Sequence, residues 1–453
     1  FINYDNTWAD KHHLNLTIGT SVFRTEGEFS GSIGFDLEGF NLGNASLDVA
    51  SDVQNFFPNG NATFDSRLLS YFGRLQYDYK GKYLFSAVIR RDGSTKFGPE
   101  NRFGVFPTGS VGWIMSDEEF LEDSSFINFL KLRGSYGILG SDGIPDYRYV
   151  SLLTGEGEYV FNDELAIGVA QGAIANPEIR WEQQETYDIG IDARFLSSRL
   201  NVTMDYFDKR TNDLLLVPGV SYILGNTAPG SSAPIVNAGD VSNRGFEFQI
   251  GYNDQFSDDF SFGLSYNFTT LKNEVLKVDN GLGFISGGGF GIGQGDVARM
   301  EVGKPIGYFF GLQTDGIFQT QAEVDAHPSQ IELGANAQPG DIRFVDTNGD
   351  GIINLEDKTD IGNPIPDVTM GLNLSFNYKN VDFQMYVFSS IGNEIVRNYE
   401  RNLNLTNRTN YTLDRWTGAG TTNVDPRVTT GATGNGTFSD YFVEDGSTRI
   451  FLF

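Results

Sequence analysis

The chain has 453 residues, and its 32 Lys and Arg stand against 59 Asp and Glu, for a formal net charge of −27. That acidity speaks against binding a nucleic-acid backbone, where each phosphate contact wants a cation. The absence of Cys excludes disulfides, thiolate zinc, Fe–S clusters and cysteine nucleophiles, and three His (His12, His13, His327) argue against a multi-histidine centre or a histidine relay.

Hydrophobic residues make up 39% and aromatic residues 14%, enough for a substantial core or wall rather than disorder. With 55 Gly and 38 Phe beside 5 Met, the composition points to β structure. No run reaches the roughly 18 apolar residues of a membrane helix, which says nothing against a β-barrel, whose strands alternate.

Period-2 alternation recurs along the whole chain. Leu14, Leu16, Ile18 and Val22 share a face opposite Asn15, Thr17, Gly19 and Ser21. Tyr187, Ile189, Ile191, Ala193 and Phe195 oppose Asp188, Gly190, Asp192 and Arg194. Leu200, Val202, Met204 and Tyr206 oppose Asn201, Thr203 and Asp205. Phe260, Phe262, Leu264, Tyr266 and Phe268 oppose Ser261, Gly263, Ser265 and Asn267. Met370, Leu372, Leu374, Phe376 and Tyr378 oppose Gly371, Asn373, Ser375 and Asn377.

The predicted strands are 13–23, 72–79, 83–90, 105–115, 130–139, 184–195, 200–210, 244–252, 260–271, 368–378 and 381–390, with partial strands at each end. Many run to the nine to eleven residues, roughly, that a tilted strand needs to cross a bilayer. Alternation by itself is equally compatible with a soluble sandwich or propeller of long strands.

The connections separate these readings. Short links (80–82, 116–129, 196–199, 253–259, 379–380) alternate with long ones (24–71, 91–104, 140–183, 211–243, 272–367, 391–440). An up-and-down barrel has this asymmetry, with tight periplasmic turns and long outer loops. Tyr79, Tyr83, Phe195, Tyr252, Phe260 and Tyr378 flank the short turns as an interfacial girdle would. The predicted fold is therefore all-β: a transmembrane up-and-down antiparallel β-barrel with a wide, polar lumen. Phe1 begins mid-pattern and Arg449-Ile-Phe-Leu-Phe453 stops inside an apolar run, so residues 1–453 are expected to be a barrel domain incomplete at both ends.

One motif carries ligand chemistry. Asp346, Asn348 and Asp350 stand at positions 1, 3 and 5 of a twelve-residue calcium loop, with Gly351 at the turn. The Ile352 carbonyl follows at 7, Asn354 at 9 and Asp357 at 12, with Ile353 as an apolar anchor. Ca²⁺ takes six to eight oxygens, roughly, and this spacing wraps such donors around one point. The bland alternative is a solvated Asp/Asn/Gly turn. The loop lies in the long link 272–367, so the expected role of Ca²⁺ is structural.

Other features have plainer readings. Gly281 to Gly295 contains eight glycines in all but no strand–helix unit for a phosphate, and reads as a flexible outer loop. Ser116 before Asp117, Glu118 and Glu119 reads as the N-cap of a short helical turn rather than a catalytic pair. The sequons at Asn15, Asn44 and Asn61 carry little weight, and Trp181, Trp416, Tyr399 and Tyr411 suit loop packing or ligand stacking.

Several blocks resemble one family in order along nearly the whole chain. Tyr77-Asp-Tyr-Lys-Gly-Lys-Tyr83 with Arg90-Arg-Asp-Gly-Ser-Thr-Lys-Phe97 is similar to the SusC/RagA-type TonB-linked outer-membrane transporters. So are Phe106-Pro-Thr-Gly-Ser-Val-Gly-Trp113, Leu130-Lys-Leu-Arg-Gly-Ser-Tyr-Gly137 and Asn176-Pro-Glu-Ile-Arg-Trp-Glu182. Glu301-Val-Gly-Lys-Pro-Ile-Gly-Tyr-Phe-Phe-Gly311, Pro339-Gly-Asp-Ile-Arg-Phe344 and Ile361-Gly-Asn-Pro-Ile-Pro366 continue the likeness.

The resemblance implies part of a barrel of about 22 strands with a plugged lumen. It also implies a SusD-like surface lipoprotein as lid, TonB as the energy source, and oligosaccharides or oligopeptides as substrates. It places the protein in the outer membrane of a Gram-negative bacterium, with lipid around it and no enzymatic step. The sequence departs from the family in lacking the plug, the TonB box, the early strands and the last strands. The expected function is active import of oligomeric nutrients; the alternative is a barrel scaffold or surface-assembly subunit without transport. A soluble carbohydrate-binding or hydrolytic β protein would need a convincingly placed carboxylate pair.

Overall fold

The computed structural model describes residues 1–28, 31–37, 47, 50–56, 63–151, 153, 155–162, 164–218, 231–291, 295–398 and 410–452. Thirteen strands pair in chain order within one antiparallel sheet. They are β1 (Ile2–Trp8), β2 (His12–Glu28), β3 (Thr63–Tyr79), β4 (Tyr83–Ser94), β5 (Phe103–Ile114), β6 (Ile127–Ser141) and β7 (Glu182–Phe195). β8 (Leu200–Asn212), β9 (Gly239–Ser257), β10 (Phe260–Thr270), β11 (Val368–Tyr378), β12 (Val381–Ile391) and β13 (Thr448–Leu452) complete the path. The short strand Lys272–Val278 pairs with the far half of β9.

Every predicted strand is present, and the two partial ones are β1 and β13. Several run further than the alternation reached. β2 and β3 pair over their full length, from His12↔Tyr79 to Glu28↔Thr63. Beyond the apolar stretch that ladder is held by charges: Arg24 and Arg67 both fork onto Asp65 at 2.7–3.1 Å. Alternation marks a strand only where one face meets an apolar medium; backbone pairing continues into water without it.

Registered partners share a face, so the two sides of the sheet can be read across strands. One side runs Leu16↔Leu75, Leu75↔Ala87, Ala87↔Gly109, Gly109↔Tyr136 and Tyr136↔Tyr187. It is apolar and exposed: Ile18 keeps 57% of its surface, Ile89 58% and Ile189 68%. Such an area in water would drive aggregation; against lipid it is the favoured surface. The other side carries Asn15, Gln76, Ser86, Ser110, Arg133, Asp188, Asp205 and Gln249 along the same register.

Both edges of the apolar band are aromatic. At the short turns Tyr79 stacks on Tyr83, Phe126 lies 5.1 Å from Phe195 and Phe260 lies 6.4 Å from Tyr378. Toward the other edge Tyr71, Tyr136, Tyr187 and Tyr206 all face outward and are exposed, a second girdle the sequence reading missed.

The turn at 115–126 corrects one expectation. Its 3-10 turn, Met115–Asp117, has Ile114 at the N-cap position and no side-chain cap; Ser116 instead donates to Asp117 at 3.2 Å. Glu118 is the organising acid, accepting from Tyr83 Oη at 2.6 Å and Trp113 Nε1 at 3.0 Å. The Tyr83 bond, then the Trp113 bond, hold its carboxyl below the ordinary value.

Candidate functional site

The long links all leave the same edge of the sheet, and they fold. Links 95–102, 142–181 and 213–238 bring Phe97, Ile144, Ile179, Trp181 and Ile235 together over Phe106 of β5. Trp181 is buried against Phe97 and Phe106, and its indole donates to the Arg102 carbonyl at 3.1 Å. It is therefore a core residue.

Links 271–367 and 392–447 build a second body. Phe290, Val297 and Phe309 from the first pack with Phe438 and Phe442 from the second. Leu312 N–H donates to the Phe438 carbonyl, and Asp440 N–H donates to the Leu312 carbonyl. Asp341, 2% exposed, anchors the junction. It accepts from Arg427 Nε at 2.7 Å and Nη2 at 3.1 Å, from Asn435 Nδ2 at 3.0 Å and from the Gln338 N–H at 2.9 Å. A buried carboxylate needs such a shell, because unpaired it would give up its hydration for nothing.

The glycine-rich stretch belongs to this body. Phe284–Gly289 pairs with Asp296–Glu301, and Arg299 stacks on Phe284 and Phe310 at 4.0 and 3.3 Å from the ring centres. Its described part is a packed hairpin, which overturns the flexible-loop expectation; residues 292–294 lie outside the described residues. Tyr308, buried beside this hairpin, donates to Glu301, and burial followed by that bond pushes its phenol far above the ordinary value. Trp416 donates to Gln319 Oε1 at 3.2 Å. Tyr411 lies in the 3-10 turn Asn410–Asp414. Asn15 is in β2, and its amide donates to Asp5 Oδ2 at 2.6 Å. Asn44, Asn61 and Tyr399 lie outside the described residues.

The calcium-type loop is wound by its own side chains. Asp346 accepts from the Gly349 N–H at 2.7 Å and the Gly351 N–H at 2.9 Å. Both glycines have positive φ, +76° and +86°, which a side chain would oppose. Asn348 accepts from the Asp350 N–H at 2.9 Å, and Asp350 from the Ile352 N–H at 2.8 Å. Ile353 is wholly buried with Leu312, Ile342 and Phe344, the anchor role its position suggested.

Asn354 and Asp357, the expected ninth and twelfth ligands, carry hydrogen bonds of their own. They form a reciprocal capping box around the 3-10 turn Leu355–Asp357. Asn354 accepts from the Glu356 N–H at 2.7 Å, while buried Asp357 accepts from the Asn354 and Thr347 N–H groups at 2.9 Å. Among the described residues no group of three or more His, Asp or Glu side chains stands close enough to hold a metal ion. The donor chemistry suits a hard cation; the three carboxylates do not converge. Next to them Lys358 is half-buried, and its ammonium sits below the ordinary value through lost hydration, then repulsion from Arg299.

On the polar side of the sheet one cation organises three acids. Arg133 of β6 reaches Asp188 at 3.1 Å and Asp192 at 3.2 Å on β7, and Asp205 at 2.6 Å on β8. Gly190 lies between them in register, Arg133↔Gly190↔Asp205. A Cβ there would fall 2.1 Å from Asp205 Oδ1 and 2.7 Å from Arg133 Cζ. The glycine opens the path across one whole strand. Arg133, Asp188, Gln76, Ser86 and Ser110 line a cavity of about 560 Å³ on this side.

Comparison with known proteins agrees with this architecture. The family model "TonB dependent receptor-like, beta-barrel" matches residues 1–451. TonB-dependent receptor P3 of Formosa agariphila is 30% identical, over 94% of this chain and 42% of its own length. TonB-dependent receptor SusC of Bacteroides thetaiotaomicron is 31% identical, over 84% of this chain and 36% of its own. The RagAB peptide transporter structure superposes with TM-score 0.78 at 21% identity, covering 99% of this chain and 46% of that one. The chain thus spans less than half the length of each. It belongs to the TonB-dependent receptor-like β-barrel family, and its strands cross the outer membrane of a Gram-negative bacterium.

Proposed function

We propose that the whole protein is an active importer of oligomeric nutrients, oligosaccharides or oligopeptides, working with a SusD-like lipoprotein lid and TonB. The observation that carries this reading is the junction of two long links into one packed body, at the edge of a sheet whose inner face is polar. Such a body offers a shaped surface for a lid and a ligand, which a plain pore lacks. The likeness to SusC and to the RagAB peptide transporter supports it. Passage makes and breaks no bond.

Mild-detergent extraction of native outer membranes, with mass identification of what co-purifies, tests the reading. A lipid-anchored partner, together with TonB-dependent uptake of an oligomer lost on deletion, is the expected result. Many non-lipoprotein partners and unchanged uptake would favour the scaffold.

We also propose that Ca²⁺, when bound, draws Asp346, Asn348, Asp350, Asn354, Asp357 and the Ile352 carbonyl together, stiffening this body. Both Asp346 carboxylate oxygens and Asp350 Oδ1, each held by one amide, keep a second lone pair for a cation. Asp346→Ala with Asp350→Ala should then lower heat stability more in calcium than in chelator, where only the loop's own hydrogen bonds are lost. Identical melting of the unmutated protein with and without chelator would end the calcium reading.

A further inference from the structure

The exposed arginines at the outer rim of the apolar face mostly have carboxylate partners on that face. Arg24 and Arg67 share Asp65, Arg210 pairs with Asp208, and Arg244 pairs with Glu274. Arg91 of β4 is different. It stands opposite Tyr71 on β3 and Val105 on β5, with Ile89 and Gly93 as its same-face neighbours along the strand. None of these is acidic, and among the described residues Arg91 makes no ion pair. Its guanidinium lies 4.2 Å from the centre of the Phe103 ring and is exposed. A cation facing outward at the edge of a bilayer without a counterion is costly, and an anionic lipid headgroup removes that cost.

Directly below is a groove. Ile89, two residues along β4 and about 7 Å away at strand rise, lines an apolar cleft of about 530 Å³. Leu16, Ile18, Gly73, Ala87, Gly109 and Tyr136 are among the other residues that line it. Its floor is open: a Cβ on Gly73 would meet only Ile89, at 3.8 Å, and one on Gly109 only the Ser86 carbonyl oxygen, at 3.9 Å. The outward residues of β4 therefore read Tyr83, Phe85, Ala87, Ile89, Arg91, from interfacial ring through apolar slot to free cation.

We propose that this face seats one acylated phosphate lipid of the outer leaflet, an acyl chain in the groove and the phosphate on Arg91 and the Tyr71 hydroxyl. Guanidinium matches phosphate in charge and in its fork of donors, and the chain's length of apolar contact fixes which phosphate Arg91 meets. The seat lies on the lipid side, away from the polar face, so it acts on how the barrel is anchored and not on passage.

The test uses the whole protein purified in mild detergent, reconstituted with lipopolysaccharide, phosphatidylglycerol or uncharged diacylglycerol, and read by native mass spectrometry. One phosphate lipid per chain should be retained and diacylglycerol lost. Arg91→Glu should lower retention at least about fivefold, the scale of one cation at a lipid surface. Gly109→Leu, which fills the slot, should lower it as well; Arg91→Lys should keep most of it. A heat-modifiable band on gels confirms that each variant is folded. Lipopolysaccharide alone retained, or either phosphate lipid retained, supports the seat. Equal retention of diacylglycerol, or retention that survives either Arg91→Glu or Gly109→Leu in a folded variant, overturns it.

Discussion

Asp341 shows what one side chain can decide. The acid is sealed between links that are far apart in sequence, and Arg427 supplies both its counter-charge and two of its hydrogen bonds. Removing that arginine leaves a buried carboxylate with neutral partners only, which costs about 3 kcal/mol. Arg427→Ala should therefore open the segment 410–447 to protease in the detergent-solubilised protein, with cleavage about 100-fold faster if local opening limits it. An unchanged digest would show that the neutral donors suffice. Glu118 acts on a smaller scale at the opposite edge. Its carboxyl is held below the ordinary 4.5, so what it contributes is whole above that pH and is lost as pH falls through the lower, folded value. Acidification below pH 4.5 should change the Trp113 fluorescence, and Glu118→Gln should abolish that step. A step that persists in the variant would assign it elsewhere.

At the scale of elements, the ladder β6–β7–β8 depends on an empty position. Gly190 lets Arg133 serve acids on two neighbouring strands, and the guanidinium fork is what makes three contacts available to one cation. Arg133→Ala would strand Asp188, Asp192 and Asp205 together on the polar side. The expected loss is about 3 kcal/mol, seen as a lower urea midpoint in lipid vesicles. Arg133→Lys should recover less than half of it, since an ammonium is a point charge; full recovery by lysine would show that charge alone is needed. The calcium-type loop teaches a related lesson. Its spacing was legible, and so was the Ile353 anchor. The capping role of Asn354 and Asp357 was not, because it exists only once residues 355–357 turn.

Across the whole molecule, the two faces of the sheet divide the medium. Ile189 points outward and Asn267 inward, both on membrane-crossing strands. Ile189→Lys should cost about 2–4 kcal/mol of folding into a bilayer, whereas Asn267→Lys should cost little. Folding yield in lipid vesicles, followed by the heat-modifiable band, measures both. Equal tolerance of the two lysines would contradict the assignment of faces.

How much of this was readable beforehand follows from range. Alternation is a property of adjacent residues, so strand positions, their order and the edge carrying the long links were all present in the sequence. Strand ends beyond the apolar band were not, because Arg24, Asp65 and Arg67 stand where both faces meet water. The folding of the links on one another was invisible for a deeper reason. Phe290 finds Phe438 and Phe442, and Asp341 finds Arg427, across long stretches of chain whose local pattern records no partner. The sequence by itself determined a membrane-length antiparallel sheet with one apolar and one polar face. Only the tertiary structure decided which links close over one another, how Gly190 admits Arg133 to Asp205, and where Arg91 stands above an open slot. Those depend on which side chains are missing or distant, and proximity of that kind is created by the fold.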